Sequence, residues 1–467
     1  MNPSLNPIKP YNEMLYKTLV EYDPEVQKLI EDETLRQFSS LELNASENLT
    51  SLSVMEVNGS ILNNRFTERI SDRPEEDCVD DELQLLCQTR ALETFRLDPK
   101  IWGVNVQLYS GSTANLSTFT ALIQPQDRIM ALSATDGGHS SSGSFTENRK
   151  ISASSTYFQS FPYSVDPESK LIDYDYLQKM ADIYKPKILI CGASAYPRDW
   201  NFKRLREISD NQEAYLMMDA SMAQVSGLVA GQVQNDPFEF CDVVTTTTHK
   251  TLRGPRGGLI FFRKDKDPGM ESRIKGGVFP GFQGAVHYHS IAAASVALRQ
   301  AGDPSFRQYA QAVIENSRAL AARLVELGYS LQTGGSDNHL VLWDLRPTGL
   351  TGSRAGKIFD FCGIIVSKSA VSSDKSIQDQ GGVRLGTSAL TSRSMGPEQM
   401  VEVANFMHRA VQLSLNLQQE TRSNQSNDFL RASYEGDERE ERKQFAQILR
   451  DVQEFSRRFE LPGFNVK

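Results

Sequence analysis

The chain of 467 residues is poor in cysteine, and its five cysteines (Cys78, Cys87, Cys191, Cys241 and Cys362) are scattered, odd in number and form no CxxC pair. That spacing argues against a disulfide framework or a zinc site, and for reduced structural thiols. No metal site is expected. No apolar run approaches the ~20 residues needed to span a bilayer, so no membrane partner is expected. The opening "MNPSLNPIKPYNEML" lacks the basic-then-apolar layout of a secretory signal, and a cytoplasmic address is the expectation. There is no excess of basic charge either: 50 Lys and Arg face 59 Asp and Glu, a net of −9. A nucleic-acid partner is therefore not expected, and any anion has to be bound locally. No unit of about 20–50 residues repeats, which excludes solenoids and propellers.

What is present is an ordinary globular composition, 39% hydrophobic and 23% charged, on a chain long enough for two domains. Between Trp102 and Lys264 short apolar runs alternate with amphipathic segments: "WGVNVQLYSG", "DRIMALSA", "PKILICGAS", "EAYLMMDA", "CDVVTTTTH", "GGLIFF". Strands at that spacing, joined by helices, predict an α/β domain with a doubly wound, mostly parallel sheet. From about Arg307 to Leu415 a long helical pattern, "HLVLWDLR" and "GGVRLGTSAL" predict a smaller α+β domain. The division expected is an N-terminal arm over 1–55, a large domain over 56–305 and a small C-terminal domain over 306–467 that ends in a charged helix.

Ligands of doubly wound sheets collect beyond the carboxyl ends of the strands, and that is where the polar motifs fall. Lys250 follows four threonines at the end of one strand. A surface lysine is the bland reading. Its flanks, a buried strand and an Arg/Gly-rich turn, point instead to a partly desolvated, imine-forming nucleophile. A phosphate-binding lysine of the GxxxxGK[ST] type is excluded, because "YSGSTAN" has no lysine after its glycine.

An imine-forming lysine suggests pyridoxal phosphate, which makes three further demands. Its phosphate needs backbone N–H groups and hydroxyls at a helix start, as at Ser110-Gly111-Ser112. Its ring nitrogen needs a carboxylate, as at Asp219 closing "AYLMMD". An amino-acid substrate needs its carboxylate clamped, as by Arg384.

With these residues in view, the chain resembles the serine hydroxymethyltransferase family of fold-type-I pyridoxal-phosphate enzymes from about Asp23 to Leu461. The strings that carry the resemblance are "VVTTTTHKTLRG", "WGVNVQ", "TGGSDNHL", "RLGTSALTSR" and "LNN". It implies Lys250 as the cofactor-bearing lysine with His249 beside it, and His139 stacked on the ring. It also implies Ser194 by the ring hydroxyl, Arg384 and Ser46 on the substrate carboxylate, and Glu68 as acid/base group. A homodimer or homotetramer with shared active sites is implied, Gly284 reaching a neighbour's phosphate.

Five departures from the family pattern stand out. The tyrosine-rich loop reads "FTERISDRPEEDC", with Phe66 for its first tyrosine; "DASMAQ" puts Gln224 where a histidine is expected at the cofactor; Ser142, Ser369 and Ala285 replace a histidine, an asparagine and a glycine. Either Asp219 keeps the ring nitrogen or the string slides and Ser221 does; the buried strand before it favours Asp219. The altered positions belong largely to the folate side of the site. The reading is thus a pyridoxal-phosphate enzyme performing aldol-type cleavage or formation at an amino acid's α-carbon, with tetrahydrofolate use open. The alternatives are a folate-independent aldolase or transaldolase for bulkier β-hydroxy amino acids, and a weakly active assembly partner.

Overall fold

The computed structural model describes residues 9–68, 79–220, 228–229, 236–375, 380–421 and 440–464. Gln224, Ser221 and the loop from Arg69 to Cys78 lie outside the described residues.

Seven strands form the central sheet: β1 (Trp102–Leu108), β2 (Arg128–Leu132), β3 (Gln159–Tyr163), β4 (Ile188–Cys191), β5 (Tyr215–Asp219), β6 (Val243–Thr247) and β7 (Gly258–Arg263). Their spatial order is β1-β7-β6-β5-β4-β2-β3. The expected parallel sheet is there, with one exception: β7 runs antiparallel to both neighbours. Strands such as "ILIC" and "VVTTT" are buried along their whole length. The period-two alternation does not vanish; it divides residues between two apolar layers. Leu189, Cys191, Leu216 and Met218 pack on one layer, and Ile188, Ile190 and Met217 on the other.

The second sheet joins β8 (Ser330–Leu331), β9 (Leu340–Asp344), β10 (Ser367–Ser369) and β11 (Gly382–Gly386) in the order β8-β9-β11-β10. Three helices tie the sheets and the chain's beginning together: α1 (Pro24–Ser39), α2 (Gly111–Leu122) and α3 (Pro304–Glu326). Helix α3 crosses the expected boundary at 305. Phe306, Tyr309, Ala310 and Val313 belong to the core of the large sheet, while Leu320, Ala321 and Leu324 belong to that of the small one. Leu41 and Leu43, within the expected N-terminal arm, are fully buried in the small-sheet core. There Leu41–Glu42 pairs in parallel with Ile364–Ile365.

One buried cation closes this arrangement. Arg393, 3% exposed, donates to the carbonyls of Phe38 (2.9 Å), Ser40 (3.1 Å), Ser456 (2.7 Å) and Phe459 (2.8 Å). It thereby satisfies the carboxyl ends of α1 and of the terminal helix α4 (Glu440–Ser456) together, where orphan carbonyls favour a cation. Burial pulls its pKa down to about 10.

Arg393→Met should lower the free energy of unfolding by about 3 kcal/mol, since several carbonyls lose a charged donor at once. Urea unfolding checks this; a loss below about 0.5 kcal/mol, the scale of a surface substitution, contradicts it.

Candidate active site

The carboxyl ends of β1, β4, β5 and β6 converge on one edge of the central sheet, and the polar motifs stand there. Gly192, just past β4, has φ +100°, and a Cβ on it would sit 2.2 Å from the carbonyl oxygen of Asp219. Only glycine lets this loop pass so close to the end of β5. Gly258 at the start of β7 is similarly constrained, since a Cβ there would lie 2.9 Å from the carbonyl oxygen of Ser110. That close approach seats β7 against the start of α2. The Ser110 hydroxyl caps α2, accepting from the Thr113 N–H at 3.3 Å, while Thr113 Oγ1 accepts from the Ser110 N–H at 3.0 Å. Gly111 is buried and Ser112 exposed at the helix start, a natural anion site.

Lys250 is 9% exposed. Desolvation pulls its ammonium down to about 8 from 10.5; Asp219 opposes that shift, and Arg384 and Arg256 add to it. Its backbone carbonyl accepts from Asn48 Nδ2 at 2.8 Å, and the same amide donates to the Tyr309 hydroxyl at 2.8 Å, tying the lysine turn to α3. Asp219 is 4% exposed and accepts from Asn115 Nδ2 at 2.7 Å. His139 Nδ1 lies 4.0 Å from Asp219 Oδ2. Burial is the main cause of a lowered His139 pKa; Asp219 opposes the shift, and Lys250 and Arg384 add to it.

Arg384 reaches the same place from β11 on the small sheet. Its contacts are the Ser194 carbonyl (2.9 Å), Ser194 Oγ (3.1 Å), Ser46 Oγ (2.8 Å) and Ser367 Oγ (3.3 Å), all neutral oxygens. Its Nε is buried without a partner among the described residues, and burial pulls its pKa down to about 10. Such a cation is energetically incomplete until an anion reaches it. His249 carries a second orphan, a buried Nδ1 without a partner among the described residues. Burial pulls its pKa down to about 3.

The structure thus brings Lys250, Asp219, His139, Ser194, Ser46 and Arg384 together. Glu68 is exposed and stands beside Gly284, where an added Cβ would sit 2.9 Å from Glu68 Oε1. The charge of Glu68 acts on Tyr109, whose pKa it raises after burial. Three residues that sequence reasoning passed over complete the cluster: Asn115, Ser141 and Thr245, all buried. Asn115 sits in the "YSGSTAN" string at the phosphate loop, four residues past Gly111 and so one turn into α2. Its helical register, facing the sheet, was the available signal.

These residues fit pyridoxal phosphate. A lysine shifted toward neutrality, a capped helix start beside it, a buried carboxylate and two orphan buried donors or acceptors match the nucleophile, phosphate, ring nitrogen and carboxylate that must be held. Fold and site define a fold-type-I pyridoxal-phosphate enzyme acting at an amino acid's α-carbon. The comparisons narrow the class. The family model described as serine hydroxymethyltransferase matches residues 19–407. The chain is 47% identical to serine hydroxymethyltransferase 3, chloroplastic, of Arabidopsis thaliana, over 95% of this chain and 84% of that one. It is 46% identical to the cytosolic serine hydroxymethyltransferase of Oryctolagus cuniculus, over 97% and 96%, and 45% identical to that of Saccharomyces cerevisiae, over 88% and 90%. The chain belongs to the serine hydroxymethyltransferase family.

The lowered lysine pKa has a signed consequence for the cofactor-free protein. Protonated Lys250 costs the folded state stability below about 8, and that cost disappears as pH rises toward 10.5. Across that window wild type should gain about 3 kcal/mol relative to Lys250→Met, in which the methionine carries no proton to lose. Parallel urea unfolding series of the two proteins at stepped pH measure the difference; identical slopes contradict the shift.

Proposed function

We propose that the protein interconverts serine and glycine by cleaving and forming the Cα–Cβ bond, with a tetrahydrofolate carrying the one-carbon unit. The observation that carries this reading is the incomplete Arg384 cation, its Nε buried without a partner among the described residues and its other contacts all neutral oxygens, in the same cluster as Lys250, whose ammonium burial pulls down to about 8. An α-carboxylate supplies the missing charge and thereby fixes the α-carbon near the lysine.

When bound, pyridoxal phosphate supplies an electron sink for negative charge at the α-carbon. The chain does the rest. Lys250 holds the cofactor by its Nζ, the start of α2 and His249 hold the phosphate, and Ser194 stands by the ring hydroxyl. Asp219 keeps the ring nitrogen protonated. Arg384 and Ser46 orient the substrate carboxylate, and His139 covers the ring. Glu68 and Gly284, adjacent on an exposed edge, serve a neighbouring subunit's site in a homodimer or homotetramer. The N-terminal arm supports that assembly: Tyr11, Leu15, Val20 and Leu29 are 71%, 74%, 61% and 66% exposed, an apolar face suited to a second copy. No helix among the described residues is long and apolar enough to cross a membrane. A cytoplasmic location fits the two cytosolic relatives.

A second reading, a folate-independent aldolase for bulkier β-hydroxy amino acids, is favoured by Ser369. Where the family pattern has an asparagine, its hydroxyl turns to the neighbouring Ala370 carbonyl at 3.0 Å.

Arg384→Ala should lower kcat/KM for serine about 100-fold, the loss of about 3 kcal/mol of charged hydrogen bonding, while the absorption of the lysine-bound cofactor persists. Unchanged kinetics contradict the carboxylate role. Serine cleavage that proceeds equally with and without tetrahydrofolate selects the second reading.

A further inference from the structure

We propose that Thr245, Asn115 and Ser141 form a proton-orienting chain that fixes His139 as the neutral tautomer with its proton on Nε2, so that Asp219 is not drawn to the imidazole and serves the ring nitrogen. All three residues act as positioning residues.

Each hydrogen along the chain is assigned by its neighbours. Asp219 and Thr245 are register partners on the adjacent parallel strands β5 and β6, so both side chains leave the same face toward α2. Asn115, 0% exposed on α2, meets both. The atom of Asn115 at 2.7 Å from Asp219 Oδ2 has to be the amide nitrogen, because a carboxylate only accepts. That decides the orientation of the amide. Its oxygen then faces Thr245, whose hydroxyl donates to it at 2.6 Å. The second amide hydrogen goes to Ser141 Oγ at 2.8 Å. The backbone N–H of Ser141 points to His139 Nδ1 at 3.3 Å and makes that nitrogen an acceptor, so the Ser141 hydroxyl, 2.6 Å from it, is the donor of that pair.

A nitrogen receiving two donors carries no proton, so the proton of the neutral ring is on Nε2. Burial opposes a second one, as do the nearby Lys250 and Arg384 cations, against the pull of the Asp219 charge. The loop holding Ser141 is itself secured, since Ser154 Oγ donates to the Ser141 carbonyl at 2.6 Å and accepts from the Gly143 N–H at 3.0 Å.

The alternative tautomer would change the site. With a proton on Nδ1 that nitrogen becomes a donor, and the oxygens near it are Ser141 Oγ at 2.6 Å and, at 4.0 Å, the Asp219 carboxylate, whose charge attracts the N–H. The carboxylate that Asn115 holds in place would then be shared with His139. This consequence rests on the reading that Asp219 serves the ring nitrogen; the tautomer itself does not.

The test uses the full chain, cofactor-free, labelled with 15N-histidine. The chain has 6 histidines, and His139→Gln identifies the resonances of His139. Expected are an unprotonated Nδ1 and a protonated Nε2 in wild type, a shift of proton occupancy toward Nδ1 in Ser141→Ala, and restoration in Ser141→Thr. A protonated Nδ1 in wild type overturns the proposal. So does a Ser141→Ala protein whose His139 spectrum matches wild type. Affinity for pyridoxal phosphate should fall about tenfold in Ser141→Ala, the value of one buried hydrogen bond, and recover in Ser141→Thr; unchanged affinity alongside an altered tautomer overturns the link to Asp219. A wild type with the expected tautomer that takes up no cofactor overturns the functional reading and leaves the tautomer assignment standing.

Discussion

The structure is organised around the cost of keeping the Lys250 ammonium out of water. At 9% exposure the side chain has lost most of its hydration, and its charged form is held back to a pKa of about 8. A lysine that sheds its proton near neutrality is a nucleophile; one left in solvent is not. The surroundings serve that condition. The buried threonines of β6 bring the chain to the sheet edge, Asn48 ties down the lysine's carbonyl, and Asp219 offsets part of the penalty without cancelling it. Arg384 adds a second buried cation to the same cluster, bonded only to neutral oxygens. Among the described residues Lys250 and Arg384, with Arg256 near enough to act on the lysine, outweigh the Asp219 carboxylate, so the site is electrostatically complete only with anions in it, and a phosphate and an α-carboxylate are the anions this chemistry brings.

Lys250 and Arg384 come from different sheets, so the site depends on how the two cores are held together. Helix α3 contributes apolar residues to both. The segment after α1 enters the small-sheet core through Leu41 and Leu43, then delivers Ser46 to Arg384 and Asn48 to Lys250. Arg393 fastens the ends of α1 and α4 beneath this segment. The placement of Ser46, for which we propose a role in substrate binding, is thus linked through a few residues of backbone to the buried Arg393.

Much of this was legible in the sequence because burial and chemistry left separate signatures. Apolar runs ending in polar motifs located the sheet edge; Lys250, Asp219 and Arg384 came from asking what one cofactor and its amino-acid substrate need, and Ser194 from the family resemblance. The antiparallel course of β7 was not legible: "GGLIFF" is buried on both faces, and burial pattern carries no direction. Asn115 was hidden for a different reason. In a Ser/Thr-rich helix start, a polar residue one turn in reads as part of the cap, and only the fold reveals that it faces Asp219 and Thr245. Arg393 reads as a surface residue in "RLGTSALTSR", since the carbonyls it binds lie far away in the chain. That Leu41 and Leu43, within the expected arm of 1–55, enter the small-sheet core was not legible, since apolar positions do not say which core receives them.

The central claim is that burial, not a specific partner, sets the charge state of Lys250. It is tested most directly by labelling the lysine side-chain carbons with 13C in the cofactor-free protein, assigning the Lys250 resonance by its loss in Lys250→Met, and following it with pH. A midpoint near 8 is the predicted result. A midpoint at the 10.5 of an ordinary lysine would mean that the side chain is hydrated and that the account of the site is wrong.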